Sequence, residues 1–216
     1  DEPLLFPDIT YSFYKVYCGL YQIDYQPVPL DDALGIAVDD YLEGDKPRPN
    51  GGIIFPNPNA PTGKLLPLSE IERLLQANTE SLVVIDEAYI DFVPELSFLN
   101  RLDEFPNLII TQTLSKGWGM AGIRCGAAFA SPFIIRMLNT IKMPYNINVL
   151  TTGVALEALD NKDQMQAKVD TMTSERKRLE TELPKLDCVD YIFPSVTNFL
   201  LVRFKDSAAV YQYLLD

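Results

Sequence analysis

Histidine is missing altogether from the 216 residues. That one absence removes histidine general bases, Ser-His and Cys-His pairs and histidine-ligated zinc. Any acid–base chemistry must fall to lysine, carboxylates, tyrosine or cysteine. Cysteine is scarce as well. Cys18, Cys125 and Cys188 form an odd set without close spacing, which argues against a disulfide framework and suits reduced thiols in a cytoplasmic protein. No run of about 18 uncharged apolar residues occurs, so no segment reads as membrane-spanning. Asp1-Glu2-Pro3 lacks the basic and apolar regions that open a signal peptide. Positive charge is in the minority, 18 Lys and Arg against 30 Asp and Glu for a net charge of −12. Those cations are scattered rather than striped, which argues against a nucleic-acid partner.

What is present is an alternation of strand-like and helix-like segments. Leu4-Leu5-Phe6 and a stretch from Tyr21 to Val28 suit strands, as do Gly52–Phe55, Ser81–Ile85, Leu108–Thr113 and Cys125–Ala130. Leu68, Ile71, Leu74 and Leu75 recur at helical spacing. Ser131-Pro132 makes a cap and first turn for a helix through Ile141. Asp31 to Asp45 reads as acidic and loosely helical. Val149–Leu159 is a further helix, and a long charged one carries Met165, Val169, Met172, Leu179 and Leu183 on one face. Tyr191–Phe193 and Asn198–Phe204 suit strands and Ser207–Leu215 a helix. The expected fold is α/β, a mostly parallel sheet with helices on both faces. The expected division is a large domain over 1–160, a connecting helix over 161–184, and the start of a small α+β domain over 185–216.

Three strands end in turns that carry chemistry. Gly52–Phe55 runs into Pro56-Asn57-Pro58-Asn59-Ala60-Pro61-Thr62-Gly63, a rigid loop in which Asn59 is a candidate hydrogen-bonder or a plain turn residue. Ser81–Ile85 runs into Asp86-Glu87-Ala88-Tyr89. A carboxylate at the exit of a buried strand is costly without a partner; Asp86 faces either a protonated ring nitrogen or a turn. Tyr89 is placed to reach the same ligand with its phenol. Leu108–Thr113 runs into Leu114-Ser115-Lys116-Gly117, with Arg124 eight residues after the lysine. Thr113 and Ser115 offer hydroxyls, and Arg124 offers a planar fork suited to phosphate. One amine beside a phosphate nest is what an aldehyde cofactor with a phosphate tail requires. Upstream, Tyr11 can show a ring face to a flat ligand, whereas Phe13 and Tyr14 read as core packing. In a parallel sheet the three turns fall along one edge.

Together these motifs resemble the fold-type I, pyridoxal-phosphate-dependent aminotransferases of classes I and II. Within that family the turn Thr113-Leu114-Ser115-Lys116 followed by Ala121-Gly122-Ile123-Arg124-Cys125-Gly126, and Thr10-Tyr11-Ser12-Phe13-Tyr14 upstream, are most similar to histidinol-phosphate aminotransferases. The resemblance implies a homodimer that uses pyridoxal 5'-phosphate. It exchanges an amino group between histidinol phosphate and 2-oxoglutarate, a step of histidine biosynthesis. Lys116 would form the Schiff base and shuttle the proton, and Asp86 would pair with the ring nitrogen. Tyr89 would bond the ring's phenolic oxygen, Tyr11 would stack on the ring, and Thr113, Ser115 and Arg124 would hold the phosphate.

The chain departs from the pattern at two places. Many relatives have Asn directly before Pro-Thr-Gly, where this chain has Ala60; either Asn59 substitutes or Tyr89 makes that contact alone. Family members are longer, so the chain reads as a central piece without the early phosphate-loop segment or the carboxylate-clamping arginine; Arg203 matches no clamp motif. The alternatives are another class I/II aminotransferase, a phosphothreonine-decarboxylase-like enzyme, and a non-catalytic scaffold piece of such an enzyme.

Overall fold

The structure is a computed structural model that describes residues 2–44 and 46–215. Asp1, Asp45 and Asp216, the ends of three segments expected above, lie outside the described residues. The chain opens with β1 (Leu4–Pro7), α1 (Phe13–Tyr21) and β2 (Tyr25–Val28). A two-residue hairpin follows, β3 (Leu42–Glu43) and β4 (Lys46–Pro47), and then β5 (Gly52–Pro56), α2 (Leu68–Ala77), β6 (Val83–Asp86), β7 (Leu108–Thr113) and β8 (Gly126–Ala130). One six-stranded sheet has the order β2-β1-β5-β6-β7-β8. Its first five strands are parallel and β8 is antiparallel to β7.

The antiparallel edge has a local cause. Parallel neighbours need a crossover, and antiparallel ones need only a return. The chain from Leu114 to Cys125 contains only turns and a short 3-10 segment, Ala121–Ile123. It therefore doubles back, and Gly126 pairs with Thr113.

Side chains alternate across the sheet. Leu5, Ile53, Phe55, Val83, Ile85, Leu108 and Ile110 point to one face, packed under Ile71, Leu74 and Leu75 of α2 and under Phe98 and Phe105. These strands are nearly continuous apolar runs, as a sheet covered on both sides requires. Phe6, with Leu4 and Ile54 beside it, points to the other face and packs under Tyr14 and Cys18 of α1. Helices thus cover both faces. β6 reaches β7 without an α-helix, through three 3-10 segments over 90–104.

The loosely helical reading of 31–45 gives way to a turn and one 3-10 segment, Val38–Tyr41. The Asp31 carboxylate accepts from the backbone N–H groups of Ala33 (2.9 Å) and Gly35 (2.7 Å). Such short-range bonds compete with helical ones. Strand β2 is also shorter than expected, because α1 runs on through Tyr21 and ends in a left-handed Gln22.

Beyond the sheet, α3 (Pro132–Ile141) starts at Ser131, whose side chain accepts from the Ile134 N–H. Next come α4 (Val149–Asp160), capped by Asn148, and the 21-residue α5 (Lys162–Glu182). A separate antiparallel pair, β9 (Val189–Phe193) and β10 (Leu201–Phe204), precedes α6 (Ser207–Leu215). The β9–β10 connection docks on the loop after β5. The Val196 N–H bonds to the Gly63 carbonyl (3.0 Å), and Arg176 of α5 bonds to the Thr197 carbonyl (2.6 Å). Among the described residues no helix is long and apolar enough to cross a membrane.

Candidate active site

Register brings the three turns together. Asp86 pairs with Pro56 on β5 and with Thr111 on β7. The parallel strands β5, β6 and β7 therefore end side by side, and their loops leave from one edge. There, Tyr11, Pro56, Ala60, Asp86, Ala88, Tyr89, Thr113, Ser115, Lys116 and Arg124 line a cavity of about 260 Å³. Seven of the eight site residues expected from the sequence meet in this one space.

Asn59 is the exception. It is buried, and its side chain is committed to the protein: Oδ1 accepts from Thr10 Oγ1 (2.9 Å), while Nδ2 donates to the Ile9 carbonyl (3.0 Å) and to Thr62 Oγ1 (3.1 Å). It ties the loop after β5 to the segment before α1. The cavity meets Ala60 instead, which has no polar side chain.

Asp86 occupies the end of the second sheet face, two residues beyond Val84. Oδ2 accepts from the Tyr14 phenol (3.0 Å), and Oδ1 accepts from Thr111 Oγ1 (3.3 Å) and the Ala88 N–H (3.2 Å). Burial pushes its proton affinity up, and these neutral donors, followed by the charge of Lys116, oppose the shift. Among the described residues Asp86 forms no ion pair. Asp86 is thus a buried carboxylate at a cavity wall, bonded to neutral donors and offset in part by the charge of Lys116 on the same cavity, and it can receive a ligand's N⁺–H.

Lys116 is exposed at the cavity, with Nζ 5.2 Å from the Tyr89 ring centroid, within cation–π range. Tyr89 is held edge-on to Phe199, with centroids 5.0 Å apart, so the β9–β10 connection forms part of the wall behind it. Thr113 Oγ1 bonds to Ser115 Oγ (2.9 Å) and accepts from the Ser115 N–H (3.1 Å), curling the turn. Arg124 sits in a left-handed conformation (φ 54°) after Ala121–Ile123, and Nη1 donates to the Ala121 carbonyl (3.0 Å). Among the described residues no other bond of its guanidinium is seen, and it lines the same cavity as the Thr113 and Ser115 hydroxyls. Two hydroxyls and a guanidinium there suit a phosphate.

The lysine turn is braced from behind. A Cβ on Gly117 would lie 2.5 Å from Asp91 Cβ, so only glycine lets the backbone pass. Asp91 hydrogen-bonds to Trp118, and burial raises its carboxyl to about 6. Glu87, next to Asp86, turns to the opposite face. It is satisfied there by Ser97 Oγ (2.7 Å), the Phe98 N–H (2.7 Å) and Gln112 Nε2 (2.8 Å).

The family model for class I and II aminotransferases matches residues 1–216. The chain belongs to that family. It is 45% identical over 205 residues to histidinol-phosphate aminotransferase 1 of Methylococcus capsulatus, covering 94% of this chain and 55% of that protein. The crystal structure of the histidinol-phosphate aminotransferase from Clostridium acetobutylicum superposes with a TM-score of 0.91 at 26% identity, covering 99% of this chain and 66% of that one. A second, from Sinorhizobium meliloti in complex with pyridoxal-5'-phosphate, shares the fold with a TM-score of 0.86 at 22% identity over 98% of this chain and 57% of that one. The chain spans little more than half the length of the curated relatives it matches.

Sequence reasoning missed Tyr14, Thr111 and Asp91. Tyr14 was assigned to packing because a buried tyrosine ring looks the same in sequence whether or not its hydroxyl has a task. The available signal was Thr111, the first hydroxyl after three apolar residues of β7 and two residues before Thr113. Arg203, weighed as a clamp, pairs with Asp190 on β9 and stands beside Tyr191; it does not line the cavity.

Two outcomes follow from the brace. Gly117→Ala lowers unfolding stability by about 1–3 kcal/mol, the usual range for overpacking, measured by urea denaturation. Asp91 has a folded-state proton affinity raised from 3.8 to about 6, so the folded state binds the extra proton between those values. Its contribution to stability falls as pH rises through that window. Asp91→Asn removes this component: relative to the variant, the unaltered chain gains stability on going from pH 7.5 to about 5. Parallel stability curves across that range would refute the assignment.

Proposed function

We propose that this chain carries the cofactor site of a pyridoxal-phosphate-dependent aminotransferase that exchanges the amino group of histidinol phosphate with 2-oxoglutarate, in histidine biosynthesis. The observation that carries the reading is the shared cavity of Lys116, an unpaired Asp86 and the Thr113–Ser115–Arg124 cluster. An amine, a buried carboxylate outside any ion pair and a polar end with two hydroxyls and a guanidinium match the three poles of that cofactor. Histidinol-phosphate aminotransferases among the relatives at 43–45% identity support the substrate.

Pyridoxal phosphate, when bound, supplies an aldehyde that takes up amino groups and a conjugated ring that accepts electrons from the substrate carbon. Lys116 would hold the cofactor through its amine and, once displaced by the incoming substrate amine, would carry the proton to and from the substrate carbon. Asp86 keeps a proton on the ring nitrogen, which makes the ring a better electron acceptor. The Tyr89 phenol donates toward the ring's phenolic oxygen, a contact for which Ala60 offers no side chain and Asn59 is otherwise engaged. Tyr11 lines the cavity and would offer its ring face to the flat cofactor. Thr113, Ser115 and Arg124 would hold the phosphate and so set the ring against Lys116 and Asp86.

The working enzyme on this reading is a cytoplasmic homodimer. The three free cysteines suit a reducing compartment. Met143, Tyr145, Val149 and Leu150 are 73%, 96%, 84% and 79% exposed, an apolar run that a second copy would cover. Sedimentation velocity at micromolar concentration is expected to show dimers; a single monomeric species would count against the dimer.

The assignment of Lys116 is tested by incubating the chain with pyridoxal phosphate, reducing with borohydride and mapping peptides. The expected result is one labelled peptide containing Lys116 and none in Lys116→Ala. Label spread over surface lysines, or retained in the variant, would overturn it. Addition of histidinol phosphate before reduction is expected to protect Lys116 from labelling.

A further inference from the structure

Tyr14 is the buried group at this site that the roles above leave without a task. Its ring is 5% exposed and packs with Phe6 and Cys18, a job that phenylalanine would do equally well. The hydroxyl does something else. It reaches across the sheet end to Asp86 Oδ2 at 3.0 Å, and it is the only side chain among the described residues that bonds to that oxygen. Asp86 Oδ1 is held separately, by Thr111 at 3.3 Å and the Ala88 N–H at 3.2 Å.

Tyr14 is also tied to Tyr11. The Tyr14 N–H bonds to the Tyr11 carbonyl (3.3 Å), and the two rings meet edge to face with centroids 5.5 Å apart. One turn at the start of α1 therefore presents both the cavity wall and the donor to the carboxylate. Burial, and then the charge of Asp86, push the proton affinity of Tyr14 upward. The phenol consequently stays protonated, and a donor, at neutral pH.

We propose that Tyr14 is a positioning residue: its phenol fixes Asp86 Oδ2 and keeps the carboxylate charged, so that Asp86 holds the proton on the cofactor's ring nitrogen instead of taking it. This rests on the reading of the cavity as a pyridoxal-phosphate site. The reasoning is a competition for one proton. A ring N⁺–H facing a carboxylate can pass its proton across, leaving a neutral ring and a neutral acid. Burial favours that neutral pair, and a donor to the carboxylate opposes it. Thr111 and Ala88 oppose it at Oδ1 alone, through longer bonds. Loss of the Tyr14 hydroxyl leaves Oδ2 free to accept the proton.

The test binds pyridoxal phosphate enriched with ¹⁵N at the ring nitrogen to the unaltered chain and to Tyr14→Phe, and reads the ring-nitrogen resonance, the affinity for the cofactor and its attachment to Lys116. The Phe variant keeps the packed ring. It is expected to attach the cofactor at Lys116 with the same stoichiometry, to move the ring-nitrogen signal toward that of a neutral pyridine, and to bind about tenfold more weakly, the size of a lost hydrogen bond to a charged group. Thr111→Val is expected to move the signal in the same direction by less. Attachment at Lys116 with an unchanged ring-nitrogen signal in Tyr14→Phe overturns this inference alone. An unaltered chain that never attaches the cofactor at Lys116 overturns the cofactor reading, and this inference with it. Should Tyr14→Phe unfold, Thr111→Val carries the decision: an unchanged signal there refutes a proton balance set by donors to Asp86.

Discussion

The parallel, in-register pairing of β5, β6 and β7 is the constraint on which the rest of the molecule depends. Parallel strands present their C-terminal ends on one edge, and three consecutive strands at the sheet centre leave no room for intervening chain. Asp86 stands opposite Pro56 on one side and Thr111 on the other. Every group in the cavity inherits its place from that alignment. A slip of one residue in β6 would turn Asp86 to the α2 face and bring Glu87 to the cavity. The apolar residues Val83 and Ile85, fully buried under α2, hold the register against such a slip.

Three carboxylates fall within six residues from the last residue of β6 onward, and each solves the problem of burial differently. Glu87 is enclosed by three donors from the β6–β7 connection and β7, and serves the fold. Asp91 braces the lysine turn through Trp118 and the gap at Gly117. Asp86 receives only neutral donors and faces open space. Burial raises the proton affinity of all three. Of the three, Asp86 alone lines the active-site cavity, where the charge of Lys116 offsets part of its burial. The difference lies in what surrounds each carboxylate, since the chemical group is the same.

The loop after β5 shows how remote segments share in the site. Gly63 has φ +72°, and a Cβ there would come 2.3 Å from Ser195 Oγ. Asn59 holds the same loop to Ile9 and Thr10. One short loop is thus pinned by the start of the chain on one side and by the β9–β10 connection on the other. The same connection brings Phe199 against Tyr89. The cavity is consequently lined from four stretches that are distant along the chain and backed by a fifth, at Phe199.

Much of this was legible in the residues alone. Apolar β-forming runs bounded by turns located β1, β5, β6, β7 and β8, and helical periodicity located α2 and α3. These are signals of local burial that each segment carries by itself. The lysine, the strand-exit carboxylate and the arginine fork were legible because each is a costly or specialised group in a turn. Tertiary structure decided the remainder. It turned β8 antiparallel through a return too short for a crossover, and it replaced an expected helix by a turn closed on Asp31. It gave Asn59 to the scaffold and Tyr14 to Asp86. A sequence states which hydrogen-bonding groups a residue owns, whereas the partner of a buried group depends on which distant atoms the packed fold leaves within about 3 Å of it.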